Sequence, residues 1–114
     1  MTSPITTHVL DTARGAPAAG VRIALEHEGA PGRWARATEG VTDADGRLRT
    51  LLPEGSLRAG VYRLTFDVGA YFRTQGVSTL WREVTIEFVV EDATAHFHVP
   101  LLVSPFGYST YRGS

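Results

Sequence analysis

Glu83-Val-Thr-Ile-Glu-Phe-Val-Val90 sets an apolar side chain at every second position: Val84, Ile86, Phe88 and Val90 alternate with Glu83, Thr85 and Glu87. A period of two puts one set on one face of an extended chain and the other set on the opposite face. The stretch therefore reads as a strand with one face on a core and one in water. Tyr62, Leu64, Phe66 and Val68 alternate with Arg63, Thr65 and Asp67 in the same way, and Val21, Ile23 and Leu25 with Arg22, Ala24 and Glu26. Further strand candidates lie near residues 5–10, 34–39, 48–51, 95–102 and 108–111. Turn signals separate them: Arg14-Gly-Ala-Pro, Glu28-Gly-Ala-Pro-Gly, Asp43-Ala-Asp-Gly and Pro53-Glu-Gly. One stretch, 72–80, fits a short helix, weakened by Gly76. Short strands with frequent turns predict an all-β, two-sheet sandwich with one short helix.

The 114 residues have room for one domain, 1–114, with a modest core, and a hydrophobic fraction of 43% argues against disorder. A net charge of -1 offers no footprint for nucleic acid or an anionic membrane. All 11 Lys+Arg residues are arginine, which excludes Schiff-base chemistry and leaves arginine to hold any anionic substrate. With 0 cysteines there is no disulfide, thiolate nucleophile or cysteine-ligated zinc. No apolar run approaches a membrane span, and Met1-Thr-Ser-Pro-Ile-Thr-Thr-His lacks the basic and apolar regions of a signal peptide. The default expectation is a cytoplasmic protein.

Ala95-His-Phe-His-Val-Pro-Leu-Leu-Val is the most informative polar pattern. As a strand it sends Phe97, Val99, Leu101 and Val103 to one face and His96, His98, Pro100 and Leu102 to the other. Two imidazoles on an otherwise apolar face, beside a proline, point to a cleft or a subunit interface; the alternative is two partly exposed histidines on an edge strand. Thr6, His8 and Leu10 share the face opposite Ile5, Thr7 and Val9. His27, among acidic residues before a Gly-Pro turn, reads as a solvated loop residue. Asp43-Ala-Asp-Gly is a turn whose aspartates and glycine supply local hydrogen bonds and positive φ, with Arg47 starting the next strand.

Gly107-Tyr-Ser-Thr-Tyr-Arg-Gly-Ser114 is unlike an ordinary terminus, which is compositionally bland. Two tyrosines alternate with hydroxyl residues almost to the last position. Such an end is expected to pack against something.

Three motifs together carry a resemblance: Thr7-His8-Val9-Leu10-Asp11-Thr12, Thr42-Asp-Ala-Asp-Gly-Arg47, and His98-Val-Pro-Leu-Leu-Val-Ser-Pro-Phe-Gly-Tyr-Ser-Thr-Tyr-Arg-Gly-Ser114. In this order and spacing the chain resembles, over essentially its whole length, the transthyretin-like 5-hydroxyisourate hydrolases. The terminal Tyr-Arg-Gly-Ser separates these hydrolases from true transthyretins. The resemblance implies a transthyretin-like β-sandwich assembled as a homotetramer, with active sites in a central channel between facing subunits. It implies hydrolysis of 5-hydroxyisourate to 2-oxo-4-hydroxy-4-carboxy-5-ureidoimidazoline in urate degradation towards allantoin, without metal or organic cofactor. Carried over residue by residue, the catalytic set is His8, Arg47, His98 and Ser114, with His8, Arg47 and Tyr111 binding substrate; Arg112 and Gly113 shape the motif.

Opening a cyclic amide by water needs a base, an oxyanion stabiliser and an acid for the leaving nitrogen. Histidine, with a reference pKa of about 6.5, suits the proton transfers, and permanently charged arginine suits the anion. Either His8 or His98 fits the base. A Ser114 carboxylate would add an anion expected to raise the histidine pKa values or fix a tautomer. Three rivals stand beside this reading: a transthyretin-like small-molecule carrier using the same channel, a zinc site built on His96, His98 and His8, and a structural module.

Overall fold

Each alternating run buries its apolar set against a second sheet. The computed structural model describes residues 3–114. In chain order the elements are β1 (Ile5–Asp11), β2 (Ala16–Pro17), β3 (Arg22–Glu28), β4 (Trp34–Val41), β5 (Arg47–Leu48), β6 (Gly60–Phe66), α1 (Val68–Thr74), β7 (Val84–Val90), β8 (Phe97–His98), β9 (Leu101–Ser104) and β10 (Gly107–Thr110). One sheet is antiparallel throughout, in the order β4-β3-β6-β7, with Ile23 opposite Phe66 and Leu64 opposite Ile86. The other has six strands gathered around β1. Strands β2 and β5 pair with β1 antiparallel, whereas β8 and β9 pair with it parallel and β10 extends β9.

Ile5, Val9, Phe97, Leu101 and Val103 from the six-stranded sheet meet Ile23, Leu25, Leu64, Phe66 and Val84 from the other. Phe72 and Val68 of α1 are buried in the same core. Burying each of these side chains stabilises the sandwich by about 1.5–3 kcal/mol. The expected two-sheet, mostly-strand architecture with one short helix is the one observed.

Five local expectations need correction. The helix occupies Val68–Thr74, not 72–80, because Asp67, although it continues the preceding alternation, accepts a hydrogen bond from the Ala70 amide at 3.2 Å as N-cap. Gly76 does not merely weaken the helix but ends it: at φ 68° it donates to Arg73 O while Val77 donates to Phe72 O, a Schellman closure. The strand expected over 48–51 shrinks to Arg47–Leu48. The one expected over 95–102 splits into β8 and β9 around Val99 and Pro100, where the Thr7 hydroxyl donates to the Val99 carbonyl at 2.6 Å. His27 is not a loop residue; it lies in β3, opposite Tyr62 and stacked on its ring at 4.4 Å.

Candidate active site

β1 positions the site because it is the strand both halves of its sheet share. His8 lies opposite Arg47 of β5, and Thr6 lies opposite His98 of β8. Directly opposed residues on neighbouring strands share a face, so these four side chains sit together on the side away from the core. Ile5, Thr7 and Val9 point the other way and are fully buried.

Arg47 is aimed by its turn. The Asp43 carboxylate accepts from the amides of Asp45 at 2.9 Å and Arg47 at 3.0 Å, and the Asp43 amide donates to the Arg47 carbonyl at 2.9 Å. Gly46 has φ 74°, and a β-carbon there would press on Val9 O and Pro17. Glycine lets the turn close onto β1, where Val9 donates to Gly46 O at 2.7 Å. The Arg47 amide is the main reason the Asp43 carboxyl is held below its usual range.

His98 is held from both sides. Its strand is pinned to β1 by Phe97 N to Pro4 O at 2.8 Å and Val99 N to Thr6 O at 2.9 Å. From the other side the tail returns. Gly113 donates to the His98 carbonyl at 2.8 Å, an isolated antiparallel bridge. A β-carbon on Gly113 would collide with the His98 ring, so only glycine permits this approach. Arg112 clamps the same segment, its guanidinium 4.4 Å over the Phe97 ring and donating to the His96 carbonyl at 3.2 Å. This lays Ser114 beside His98.

The result is a cavity of about 320 Å³ lined by Thr6, Thr7, Arg47, Arg49, His96, His98 and Ser114. That is the size of a small-molecule site, and no acidic side chain lines it. Partial burial is the largest cause holding the His98 pKa below 6.5; the charges of Arg47, His8 and His96 add to it, and a hydrogen bond to the Thr6 backbone opposes it. This is opposite in direction to the rise expected from an anion at Ser114. A neutral imidazole at working pH is able to accept a proton. The His8 Nε2 lies 2.9 Å from the Asp45 carbonyl, which can only accept, so that nitrogen carries a proton.

Of the five residues expected at the site, Arg47, His98 and Ser114 form the cavity wall, and His8 stands beside it in register with Arg47. Tyr111 does not reach the wall; it is 58% exposed beyond the end of β10. Thr6 and Arg49 were not expected there, and His96 carried no assigned role. Thr6 was visible only as a member of the His8 face; its contact with His98 follows from a parallel pairing between residues 92 positions apart. The Thr6 hydroxyl lies 2.8 Å from His98 Nδ1 and 3.2 Å from His96 Nε2. Among the described residues, no three histidine or carboxylate side chains gather closely enough to hold a metal ion.

A model of the HIUase/Transthyretin family matches residues 5–113. The chain belongs to that family. A 5-hydroxyisourate hydrolase from Deinococcus radiodurans is 48% identical over 96% of this chain and 95% of its own length. The structure of the Klebsiella pneumoniae 5-hydroxyisourate hydrolase is 39% identical, covers 100% of both chains and superposes with a TM-score of 0.84. Sea bream transthyretin in complex with thyroxine superposes with a TM-score of 0.92 at 34% identity, covering 97% of this chain and 95% of its own. Within the HIUase/Transthyretin family the backbone alone thus does not separate the hydrolase from the thyroxine-bound transthyretin, and the side chains must.

Proposed function

We propose that the chain, as a single domain spanning 1–114, hydrolyses 5-hydroxyisourate at the cavity between β1, β5, β8 and the tail. The product is 2-oxo-4-hydroxy-4-carboxy-5-ureidoimidazoline. The observation that carries this reading is the convergence of Arg47, His98 and Ser114 on one cavity without a carboxylate side chain in its wall. Arg47 holds the urate-like anion and the oxyanion that forms on the attacked carbonyl. His98, neutral because of burial and neighbouring cations, removes a proton from water as the water oxygen bonds to that carbonyl carbon. The ring C–N bond then breaks, and the same proton goes to the leaving nitrogen.

His98 is a better base than His8 because Nε2 of His8 is already committed as a donor to Asp45 O. His8 instead orients the substrate next to Arg47, and Ser114 orients the water. Every proton and charge in this cyclic amide hydrolysis is handled by side chains, without metal or cofactor. Tyr111 contributes in the assembly, where a homotetramer brings facing subunits together. Support for assembly comes from exposed apolar groups on strands at the sheet edges: Val89 of β7 is 59% exposed, and Tyr108 of β10 is 47% exposed beside Phe106 at 70%. The proposal places the enzyme in the cytoplasm.

The test follows ultraviolet loss of freshly generated 5-hydroxyisourate with and without the protein. Decay well above the spontaneous rate is expected, and a curve matching the blank refutes the reading. Sedimentation of the same sample reads the tetramer.

A further inference from the structure

We propose that the Thr6 hydroxyl is a proton relay joining His98 to His96, making Thr6 a positioning residue and His96 the proton store of the hydrolysis. The inference deepens the reading above and rests on it. A threonine hydroxyl has one proton and lies between two ring nitrogens, 2.8 Å from His98 Nδ1 and 3.2 Å from His96 Nε2. It can donate to one ring only while accepting from the other, so the tautomers of the two histidines are coupled.

In the resting arrangement His98 donates Nδ1–H to Thr6, and Thr6 donates to His96 Nε2. The Nε2 of His98 then carries a lone pair and is free to act as base. When it takes a proton from water, the Nδ1 proton passes to Thr6 Oγ1 and the Thr6 proton passes to His96 Nε2. His98 ends neutral as its other tautomer, and His96 becomes the imidazolium. Collapse of the intermediate reverses the steps: His98 Nε2–H goes to the leaving nitrogen, and two protons move back along the chain. Nothing is gained or lost over the cycle.

The surroundings favour parking the charge on His96. His98 is partly buried and feels the charges of Arg47 and His8, while Arg47 and Arg49 line the wall that His98 and His96 share. His96 is exposed, where water solvates a cation. It also lines a second depression that includes Glu54, the one carboxylate in that lining. Ser114 and the Arg112 guanidinium are the remaining polar neighbours, the latter on the His96 carbonyl. The alternation that set His96 and His98 on one face thus has a use for both.

The experiment compares purified Thr6→Val, Thr6→Ser and His96→Gln, and the double variant Thr6→Val/His96→Gln, with the wild type on 5-hydroxyisourate. Thr6→Val is expected to lower kcat by at least about tenfold with KM changed less than about twofold. Thr6→Ser, which keeps the hydroxyl, is expected to recover kcat to within about threefold of wild type. His96→Gln is expected to lose from the kcat–pH profile one ionisation present in the wild type, and the double variant to be no worse than the poorer single one. Thr6→Val at wild-type kcat, Thr6→Ser as impaired as Thr6→Val, additive losses, or His96→Gln with an unchanged profile each overturn the relay. Should Thr6→Val not fold, the serine and His96 variants still decide. A wild type without activity refutes the hydrolase reading, which is distinct from an active wild type matched by its relay variants.

Discussion

The outer faces of the two sheets are both rich in charge, and they use it in opposite ways. On the four-stranded sheet a hollow of about 450 Å³ is bordered by Arg22, Glu26, Arg36, Glu39, Arg63 and Glu83. Its cations are paired: Arg63 with Glu26 at 2.7 Å, Arg36 with Glu39 at 2.5 Å, and Arg22 with Glu39 at 3.8 Å. Arg63 also sits 4.1 Å over the Trp34 ring. On the six-stranded sheet the smaller cavity gathers Arg47, Arg49, His96 and His98, and among the described residues none of them has an ion-pair partner. Size does not mark the site. Paired charges saturate one another and leave a surface, whereas unpaired charges around a pocket leave capacity for a ligand.

Substitution on the catalytic face should separate the two sheets most sharply. His98→Asn is expected to lower kcat on 5-hydroxyisourate by about 10²–10⁴, the usual worth of a positioned general base, while the chain stays folded. Arg36→Gln on the other sheet is expected to leave kcat unchanged. Equal loss from both would break the comparison. Next in size is Gly113→Ala, whose new methyl must displace the His98 ring. Overpacking of this kind costs about 1–3 kcal/mol, and here it falls on the geometry of the base. A loss of about tenfold in kcat is expected together with a Tm lowered by at least about 3 °C, and wild-type kcat would show that the tail does not set the ring.

The sandwich was legible in the sequence because alternation is a local signal: Val84 to Val90 and Ile23 to Leu25 sort onto faces wherever the sheet lies. Element ends were less legible. Asp67 continues the alternation of β6 on paper, yet it caps α1, because a carboxylate between Phe66 and Val68 serves two patterns. His27 read as a loop residue because acidic neighbours and a Gly-Pro turn surround it. The β3–β6 pairing nevertheless runs on to Glu28, and the His27 ring finds Tyr62. At the site, Arg47, His98 and the tail could be named from motifs. Thr6 could not, because its meaning depends on which residue of a distant strand stands opposite.

A subtler difference lies in how each face tunes its titratable groups. On the catalytic face, burial first and then Arg47 hold His98 below 6.5. Removing the cation in Arg47→Gln should raise the His98 pKa towards its ordinary value, read by NMR titration of the ring. A pKa that stays put or falls would show that Arg47 does not act on His98. The sign for stability also follows. With its folded pKa depressed, His98 takes up its proton first in the unfolded chain, so it costs no stability above pH about 6.5 and costs stability as pH falls below that.

Glu26 on the other sheet has the opposite sense and the smallest expected effect. Its hydrogen bond from Arg63 holds its pKa below 4.5 against the opposing influence of burial. A depressed carboxylate stabilises the fold above its unfolded pKa, and that contribution is lost as pH falls through the folded value. Glu26→Gln should therefore lower stability at pH 7 by no more than about 1 kcal/mol, as for surface pairs generally. The difference from wild type should shrink in denaturant melts carried out at progressively lower pH below about 4.5. Because Arg63 lies on the sheet remote from His98, kcat should not move. If kcat did fall with this pair broken, the two faces would be coupled through the core, and the division between a charge-saturated sheet and a catalytic one would fail.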